Sequence, residues 1–216
     1  MFVPISWGND HCIAGTDSLP DRAYLTECRP EPVSRNQAAA ALQGLPPRGA
    51  ITSFSTKEQK KLSAISQVLA FHGRSEVYSV RVIDVPQAWT GLHARAVLLV
   101  SRPALDLLSA AELQALAAHE VGHDYVFGQY QAARLASDNA ALRTLETFCD
   151  ALAVLRLEAI GVPPVNLSRA LKKVFLYNQL RFGRPSDEAR YPPVRERTKL
   201  IAAFAARKPP AVYAAH

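Results

Sequence analysis

The sequence predicts an α+β protein that is mostly helical and carries a small antiparallel sheet. Apolar residues recur at helical spacing through the C-terminal half, and two upstream stretches, residues 77–85 and 93–101, have the β-branched composition and alternation of strands. A chain of 216 residues, 49% of them hydrophobic, can bury one core without a structural metal. We expect a folded domain over residues 51–216, preceded by an irregular, Pro-rich leader over residues 1–50 that packs on it or extends from it.

Each element has a local signal in the sequence. The leader holds six of the chain's 15 prolines and one short Ala-rich helix over residues 37–42. A helix over residues 56–72 begins at Ser55 or Thr56 and ends at Gly73. After the two strands, Ser109-Ala110-Ala111-Glu112 is a capping box that begins a helix with an apolar stripe. The remaining helices are predicted over residues 138–160, 168–182 and 193–206, with Gly161 and Gly183 ending the first two.

The helix that begins at Ser109 carries an HExxH motif, His119-Glu120-Val121-Gly122-His123. Two imidazoles at positions i and i+4 lie on one helix face and can bind the same metal ion. Glu120 can then reach a water on that metal as a general base. Gly122 lowers the helix propensity by about 1 kcal/mol relative to Ala, which indicates a packing or access reason for glycine at this position.

A catalytic zinc site usually has three protein ligands, so a third must lie outside the motif. A His six residues after His123, as in one large group of zinc peptidases, is absent because that position is Gln129. Glu146 and Asp150, four residues apart on one helix face, are the better candidates: one can ligate the metal while the other accepts a hydrogen bond from a ligating imidazole. The alternative is that both are surface carboxylates paired with Arg143 or Arg156.

These elements together resemble the gluzincin metallopeptidases related to the CAAX prenyl endopeptidases and the bacterial membrane-quality-control peptidases. That family has HExxH, then a helix with Glu-x-x-Ala-Asp-x-x-Ala that ends in Gly and Pro; residues 146–154 and 161–163 follow this pattern, with Cys149 in place of the first Ala. A late His-Pro-Pro-x-x-x-Arg element reads Tyr-Pro-Pro-Val-Arg-Glu-Arg over residues 191–197, and residues 96–101 match the edge strand before the zinc helix. The resemblance covers about residues 75–205.

The resemblance implies a zincin-like fold with one zinc ion per chain. Its ligands would be His119, His123 and Glu146, and Glu120 would be the catalytic base. Asp150 would orient a ligating His, and Arg197 would lie close to the site. Because Cys149 points about 60° away from Glu146 on the helix, we expect a packed small side chain there and no fourth ligand.

The implied function is a zinc-dependent endopeptidase that hydrolyses peptide bonds through a zinc-activated water. The edge strand at Leu98, Leu99 and Val100 would bind an extended protein or peptide substrate by strand addition. Tyr191 and Arg197 are candidates for stabilising the oxyanion of the transition state.

Two alternatives remain open. One is a regulatory metalloprotease that cleaves transcriptional repressors; such proteins typically have Asn at the position of Asp150 and lack the Pro-Pro-x-x-x-Arg element. The other is a non-catalytic interaction module stabilised by zinc. The presence of Glu120 disfavours the module, because Glu120 is not needed as a ligand.

The net charge and the hydropathy of the chain limit which partners and which cellular locations we expect. The net charge is +6, but the basic residues are dispersed, so we expect no nucleic-acid partner. The most apolar stretch, residues 96–100, is far shorter than the roughly 20 residues of a transmembrane helix. Residues 1–7 lack the features of a signal peptide, which predicts a cytoplasmic protein with Cys12 and Cys28 as free thiols. A periplasmic or secreted location is the alternative, for a mature form in which Cys12 and Cys28 pair.

Overall fold

The mostly helical α+β class is confirmed by the computed structural model of the protein. The structure describes the residues 12, 19–45, 50–71, 73, 78–183 and 189–207. Residues 1–7, the predicted helix end at His72 and the predicted strand start at Val77 lie outside the described residues.

Nine helices and four strands form within the described ranges. The helices are α1 (Tyr24–Glu27), α2 (Arg35–Gln43), α3 (Thr56–Phe71), α4 (Arg102–Leu107), α5 (Ala110–Tyr125), α6 (Phe127–Leu135), α7 (Asn139–Ala159), α8 (Val165–Phe182) and α9 (Val194–Ala205). The strands are β1 (Ala50–Ile51), β2 (Ser79–Ile83), β3 (Thr90–His93) and β4 (Val97–Ser101).

Helix α5, which carries the HExxH motif, is the centre of the core. The predicted capping box at its start is confirmed: the Glu112 N–H donates to the Ser109 hydroxyl over 3.2 Å, and the Ser109 N–H donates to the Glu112 carboxylate over 2.8 Å. Every residue from Glu112 to Gly122 is buried. The helix packs against α3, α7, α8 and β3, so the motif lies inside the molecule and not on a solvated face.

Helices α7, α8 and α9 match the predicted ranges closely, whereas α6 was not predicted as a separate helix. Asp138 caps α7 by accepting a hydrogen bond from the Ala141 N–H over 2.9 Å, and Gly161, with φ of 73°, follows its end. Helix α8 begins at Val165, three residues earlier than predicted, because the turn after Pro163 and Pro164 already has helical hydrogen bonds.

Part of the predicted leader belongs to the core. Helix α1, which the sequence analysis missed, buries Tyr24, Leu25 and Cys28, and the Tyr24 ring packs edge-on against Phe148 of α7 at 5.2 Å between centroids. Four residues are too few to show helical periodicity, which is why no pattern indicated this helix.

Cys12 and Cys28 form a disulfide that ties residue 12 to the end of α1. Disulfides persist in oxidising compartments, so the pairing agrees with the second of the two predicted locations. The location itself stays a prediction. Among the described residues, no helix is long and apolar enough to cross a membrane.

The sheet is mixed, so the prediction of an antiparallel sheet is wrong. Its strand order is β1-β2-β4-β3; β2 and β4 run parallel, and the other two pairs are antiparallel. The predicted strand over residues 93–101 is in fact the end of β3, a tight turn and β4.

The tight turn explains why the sequence did not reveal this hairpin. Ala94 and Arg95 both have positive φ, 48° and 58°, and the Ala96 N–H donates to the His93 carbonyl over 3.0 Å. Such turns usually carry Asn-Gly or Asp-Gly, and neither is present here. Arg95 is instead held by the Asp124 carboxylate and by the carbonyl of Glu31, both distant in sequence.

Strand β4 is an interior strand, which corrects the predicted substrate-binding edge at Leu98, Leu99 and Val100. These residues pair with β2 on one side and β3 on the other, and the side chains of Leu98 and Val100 are fully buried. The hairpin at residues 93–97 folds β3 back along the outside of β4. The edge next to α5 therefore belongs to β3, within the part of the chain that is described.

At Gly122, helix α5 lies close against the backbone of α7. A Cβ atom at this position would lie 3.2 Å from both Cα and Cβ of Cys149 and 3.3 Å from its carbonyl oxygen. These distances are shorter than ordinary van der Waals contact. The glycine inside the motif therefore has a packing reason, because it sets the separation of the two helices.

We predict that Gly122→Val lowers the free energy of unfolding by about 1–3 kcal/mol, the usual effect of overpacking a core. Urea denaturation measures this change. The control is Ala132→Val on the exposed face of α6, which introduces the same β-branched residue into a helix without such a contact and should stay within about 0.5 kcal/mol of wild type. Equal losses in the two variants would mean that the loss at Gly122 does not come from the helix crossing.

Candidate metal centre

Helix α5 presents His119 and His123 on one face, one turn apart. Their ring centroids are 5.0 Å apart, and the rings are nearly perpendicular. His119 is buried, whereas His123 is partly open to a cleft. Two imidazole groups thus converge at the floor of this cleft, as the spacing of the motif predicted.

Helix α7 places Glu146 opposite the two imidazoles. The distance from His119 Nε2 to Glu146 Oε2 is 3.4 Å, and that from His123 Nε2 to Glu146 Oε1 is 3.6 Å. One ligand atom from each of the three residues lies within 4.8 Å of the others. Ligand atoms at the corners of a tetrahedron around zinc, with bonds of about 2.1 Å, lie about 3.4 Å apart, which is close to the two distances between the imidazoles and Glu146.

Asp150 contacts the second nitrogen of His119. The distance from its Oδ1 to His119 Nδ1 is 3.0 Å, which leaves Nε2 directed at Glu146. Arg197, from α9, donates two hydrogen bonds of 2.7 Å to the carboxylate of Asp150, and the guanidinium also lies 3.8 Å from Glu146. Asp150 thus joins α5, α7 and α9 in one buried network.

Glu146 and Asp150 are buried, so they are not surface carboxylates. The arginines that the surface alternative would pair with them have other partners: Arg143 lies 3.6 Å from Glu196, and Arg156 donates to the carbonyl of Ala118 over 2.7 Å.

The network separates the pKa values of the two imidazoles. Burial by itself would lower the pKa of His119, but the hydrogen bonds with Asp150 and Glu146 raise it to about 10. Burial lowers the pKa of His123 below its usual value. Burial would raise the pKa of Glu146, but the charge of His123 and the hydrogen bond with His119 hold it at about 2, so the carboxylate is ionised at neutral pH.

Glu120 lies beside the three candidate ligands and faces the same cleft. Its Oε1 accepts a hydrogen bond of 2.8 Å from the hydroxyl of Thr90. Because Thr90 belongs to β3, the edge strand and the glutamate are held in direct contact. No pattern in the sequence indicated Thr90, because β3 was not predicted as a separate strand.

Tyr130 is a second site residue that sequence reasoning missed. Its hydroxyl donates to Glu146 Oε1 over 3.2 Å, and its ring packs against His123 at 4.9 Å between centroids. A hydrogen bond also joins Tyr130 to Tyr191, which lines the cleft and is 43% exposed. No motif marks Tyr130, which lies on a separate short helix, α6.

Cys149 packs between the helices, as predicted. It is fully buried, and its Sγ lies 3.6 Å from His123 Nδ1, the ring nitrogen directed away from Glu146. The thiol therefore contacts the back of a candidate ligand. Burial raises the pKa of this thiol well above its usual value.

The cleft above these residues has a volume of about 1110 Å³. One side is formed by Thr90, Gly91 and Leu92 of β3 and by Ala88 and Trp89 just before it. Residues of α5–α9 and residues 191–193 form the rest. The predicted substrate residues Leu98, Leu99 and Val100 do not line it.

No protein-family model matches the chain, and no curated protein matches it. The resemblance to gluzincin peptidases therefore stays a prediction that depends on the motif residues. Any function must be argued from the geometry of this site.

We predict that the imidazoles of the metal-free protein titrate far apart. His119 should keep its second proton until the pH approaches about 10, and His123 should already be neutral at pH 7. Long-range ¹H–¹⁵N NMR spectra recorded against pH resolve the two rings.

Asp150→Asn should lower the pKa of His119, because it removes the carboxylate at Nδ1, and should affect His123 less. If both rings titrated together near their ordinary value in the wild-type protein, the network described here would not exist in solution.

Proposed function

We propose that the protein is a zinc-dependent endopeptidase whose metal ligands are His119, His123 and Glu146. The main support for this proposal is that these three ligand groups converge beside Glu120 in an open cleft. Three protein ligands leave a position for water or substrate, which is the arrangement of catalytic zinc sites. Two imidazoles and one carboxylate suit zinc better than magnesium or calcium, which take oxygen ligands.

The formal charges of the site also favour a divalent cation. The carboxylates of Glu120, Glu146 and Asp150 are buried with the guanidinium of Arg197. Two negative charges remain once His119 gives up its second proton, as it must to bind a metal. Buried charge is unfavourable unless it is compensated. A zinc ion supplies two positive charges where His119 Nε2 and Glu146 face each other, and it takes the place of the proton that they share.

Bound zinc would polarise the scissile carbonyl and lower the pKa of a coordinated water to about 7. Glu120 would accept the proton of that water and return it to the leaving amine. Thr90 holds Oε1 of Glu120, so we assign the proton transfer to Oε2. The hydrogen bond thereby fixes the carboxylate before the substrate binds.

The geometry distinguishes the two candidates for oxyanion stabilisation. Arg197 directs its guanidinium at Asp150, so its role is to hold Asp150 and thereby His119. Tyr191 is exposed in the cleft, and its partner Tyr130 donates to Glu146. We therefore assign the oxyanion donor to the Tyr191 hydroxyl, which would turn its proton from the Tyr130 oxygen to the oxyanion when a substrate binds.

In the proposed function, the peptide substrate binds along the edge strand β3. The Ser101 N–H donates to the carbonyl of Trp89, so the alternation of an antiparallel ladder turns the N–H and C=O groups of Thr90 and Leu92 away from β4. An extended peptide can pair with these groups beside Glu120.

Asn178 of α8 supports this use of the edge and limits its length. Its side-chain amide donates to the carbonyl of Ala88 over 2.8 Å and accepts from the Ala88 N–H over 2.9 Å. The amide occupies the outward groups of Ala88 as a peptide would, so the edge available for substrate starts at Thr90.

We predict that each chain binds one zinc ion. The variant Glu120→Gln should still bind this zinc, but its kcat/KM for peptide cleavage should fall by about 100-fold or more, the usual contribution of general acid–base catalysis. His123→Ala should lose the metal, because two ligands are left. Atomic emission gives the metal content, and mass spectrometry of a peptide library gives the cleavage.

Glu158→Gln, far from the cleft on α7, is the matched control and should keep both zinc and activity. Stoichiometric zinc in His123→Ala would contradict the ligand assignment. Zinc-loaded wild-type protein that cleaves no peptide would contradict the enzyme and leave the non-catalytic zinc module.

Leu92→Pro tests the substrate edge. Proline is tolerated on an edge strand where the N–H faces outward, so the variant should fold and keep zinc. It should lose about tenfold in kcat/KM, because one main-chain hydrogen bond to the substrate is removed.

Leu92→Val is the control, since it keeps the N–H and suits a strand. Circular dichroism checks the fold of both variants. If Leu92→Pro folds and cleaves as fast as Leu92→Val, β3 does not bind the peptide main chain.

A further inference from the structure

The side chains that line the cleft differ in chemistry from one element to the next. Helices α5 and α8 contribute apolar groups: Leu116, Leu171, Val174 and Phe175. Helices α6, α7 and α9 contribute Arg134, Arg143 and Arg195, respectively. These arginines are separate from Arg197, which is buried with Asp150.

The basic lining has little acidic compensation. Apart from Glu120 and Glu146 of the metal centre, no acidic residue lines the cleft within the described ranges. Arg134 and Arg195 are exposed and form no ion pair with any described residue. Arg143 has Glu196 at 3.6 Å, but both side chains are substantially exposed, so this pair is weak and can exchange.

The three arginines are brought together by contacts at the start of α9. Tyr191, just before α9, is hydrogen-bonded to Tyr130 of α6, and Glu196 of α9 lies against Arg143 of α7. The basic groups therefore belong to one structured wall of the cleft, although 61 residues of sequence separate Arg134 from Arg195.

Building on the proposed endopeptidase, we propose that the cleft selects peptides that carry a carboxylate and an apolar side chain near the scissile bond. A guanidinium binds a carboxylate through paired, charge-assisted hydrogen bonds. A cleft lined by one sign of charge also attracts ligands of the opposite sign before contact. The carboxylate can be an Asp or Glu side chain or the C-terminal carboxylate of the peptide.

The test uses zinc-loaded protein and blocked fluorogenic peptides of one length that share a Leu and differ at one position, Glu, Gln or Lys. A fourth peptide has Gln there and a free C-terminal carboxylate, which separates the two sources of negative charge. Each exposed ion pair is worth about a two- to fivefold change, so three arginines should favour Glu over Gln by about tenfold at low salt, with Lys slowest. The preference should shrink as added salt shortens the screening length.

The decisive variant is Arg134→Gln combined with Arg195→Gln, which should reduce the preference for Glu at least threefold while cleavage of the Gln peptide changes little. The matched control is Arg169→Gln, because Arg169 is an exposed residue of α8 that does not line the cleft. This variant should prefer the Glu peptide over the Gln peptide as strongly as the wild-type protein does. Binding of the same peptides to the zinc-loaded Glu120→Gln protein, measured by fluorescence anisotropy, gives a readout that does not require catalysis.

The outcomes separate the two proposals. Cleavage or binding of all peptides at equal strength would overturn the selection of carboxylates and leave the peptidase intact. Binding that prefers Glu or the free C-terminus without any cleavage would support the selection and contradict the peptidase. A preference for Glu that persists in the double variant would also overturn the proposal, because the arginines would not be its cause.

Discussion

The candidate site depends on the close crossing of α5 and α7. His119 and His123 come from one helix and Glu146 from the other, so the ligand groups converge only because the backbones approach at Gly122 and Cys149. A side chain at Gly122 would push the helices apart by a few tenths of an ångström, and metal sites have little tolerance for such displacements. The glycine and the small cysteine are thus as much a part of the site as the ligand groups.

Buried charge is the second constraint on this crossing. Asp150 accepts two hydrogen bonds from Arg197 and contacts His119, which ties α9 to the two ligand-bearing helices. Removing one partner from such a network leaves an uncompensated charge in the interior, at a cost of about 3–5 kcal/mol. The same network holds His119 in one orientation, so the groups that stabilise the helix packing also position the imidazole.

The hairpin of β3 and β4 decides which strand forms the edge beside the candidate site. Because β3 folds back outside β4, the outward backbone groups belong to Thr90 and Leu92, and the Thr90 hydroxyl reaches Glu120. Glu120, strand β3 and arginines of α6, α7 and α9 then line one cleft. In the proposed function, this arrangement aligns a peptide along β3 while its side chains meet the apolar and basic walls.

Features that arise within a few residues could be predicted from the sequence alone. The capping box at Ser109, the end of α7 at Gly161 and the i, i+4 spacing of the two imidazoles are local, and each is present in the structure. The positions of Glu146, Asp150 and Arg197 at one site were expected from a resemblance to a family, because spacing within one helix cannot show what another helix brings to it.

The tertiary structure alone decided the strand order, the position of β3 at the edge of the sheet and the contacts of Thr90, Tyr130 and Asn178. The turn at Ala94 and Arg95 has left-handed backbone conformations that its residues do not favour, and contacts with Asp124 and Glu31 hold it. No local pattern encodes such a turn. Pairing between distant segments is selected by the packing of the whole core, so it emerges only when the helices and the sheet have come together.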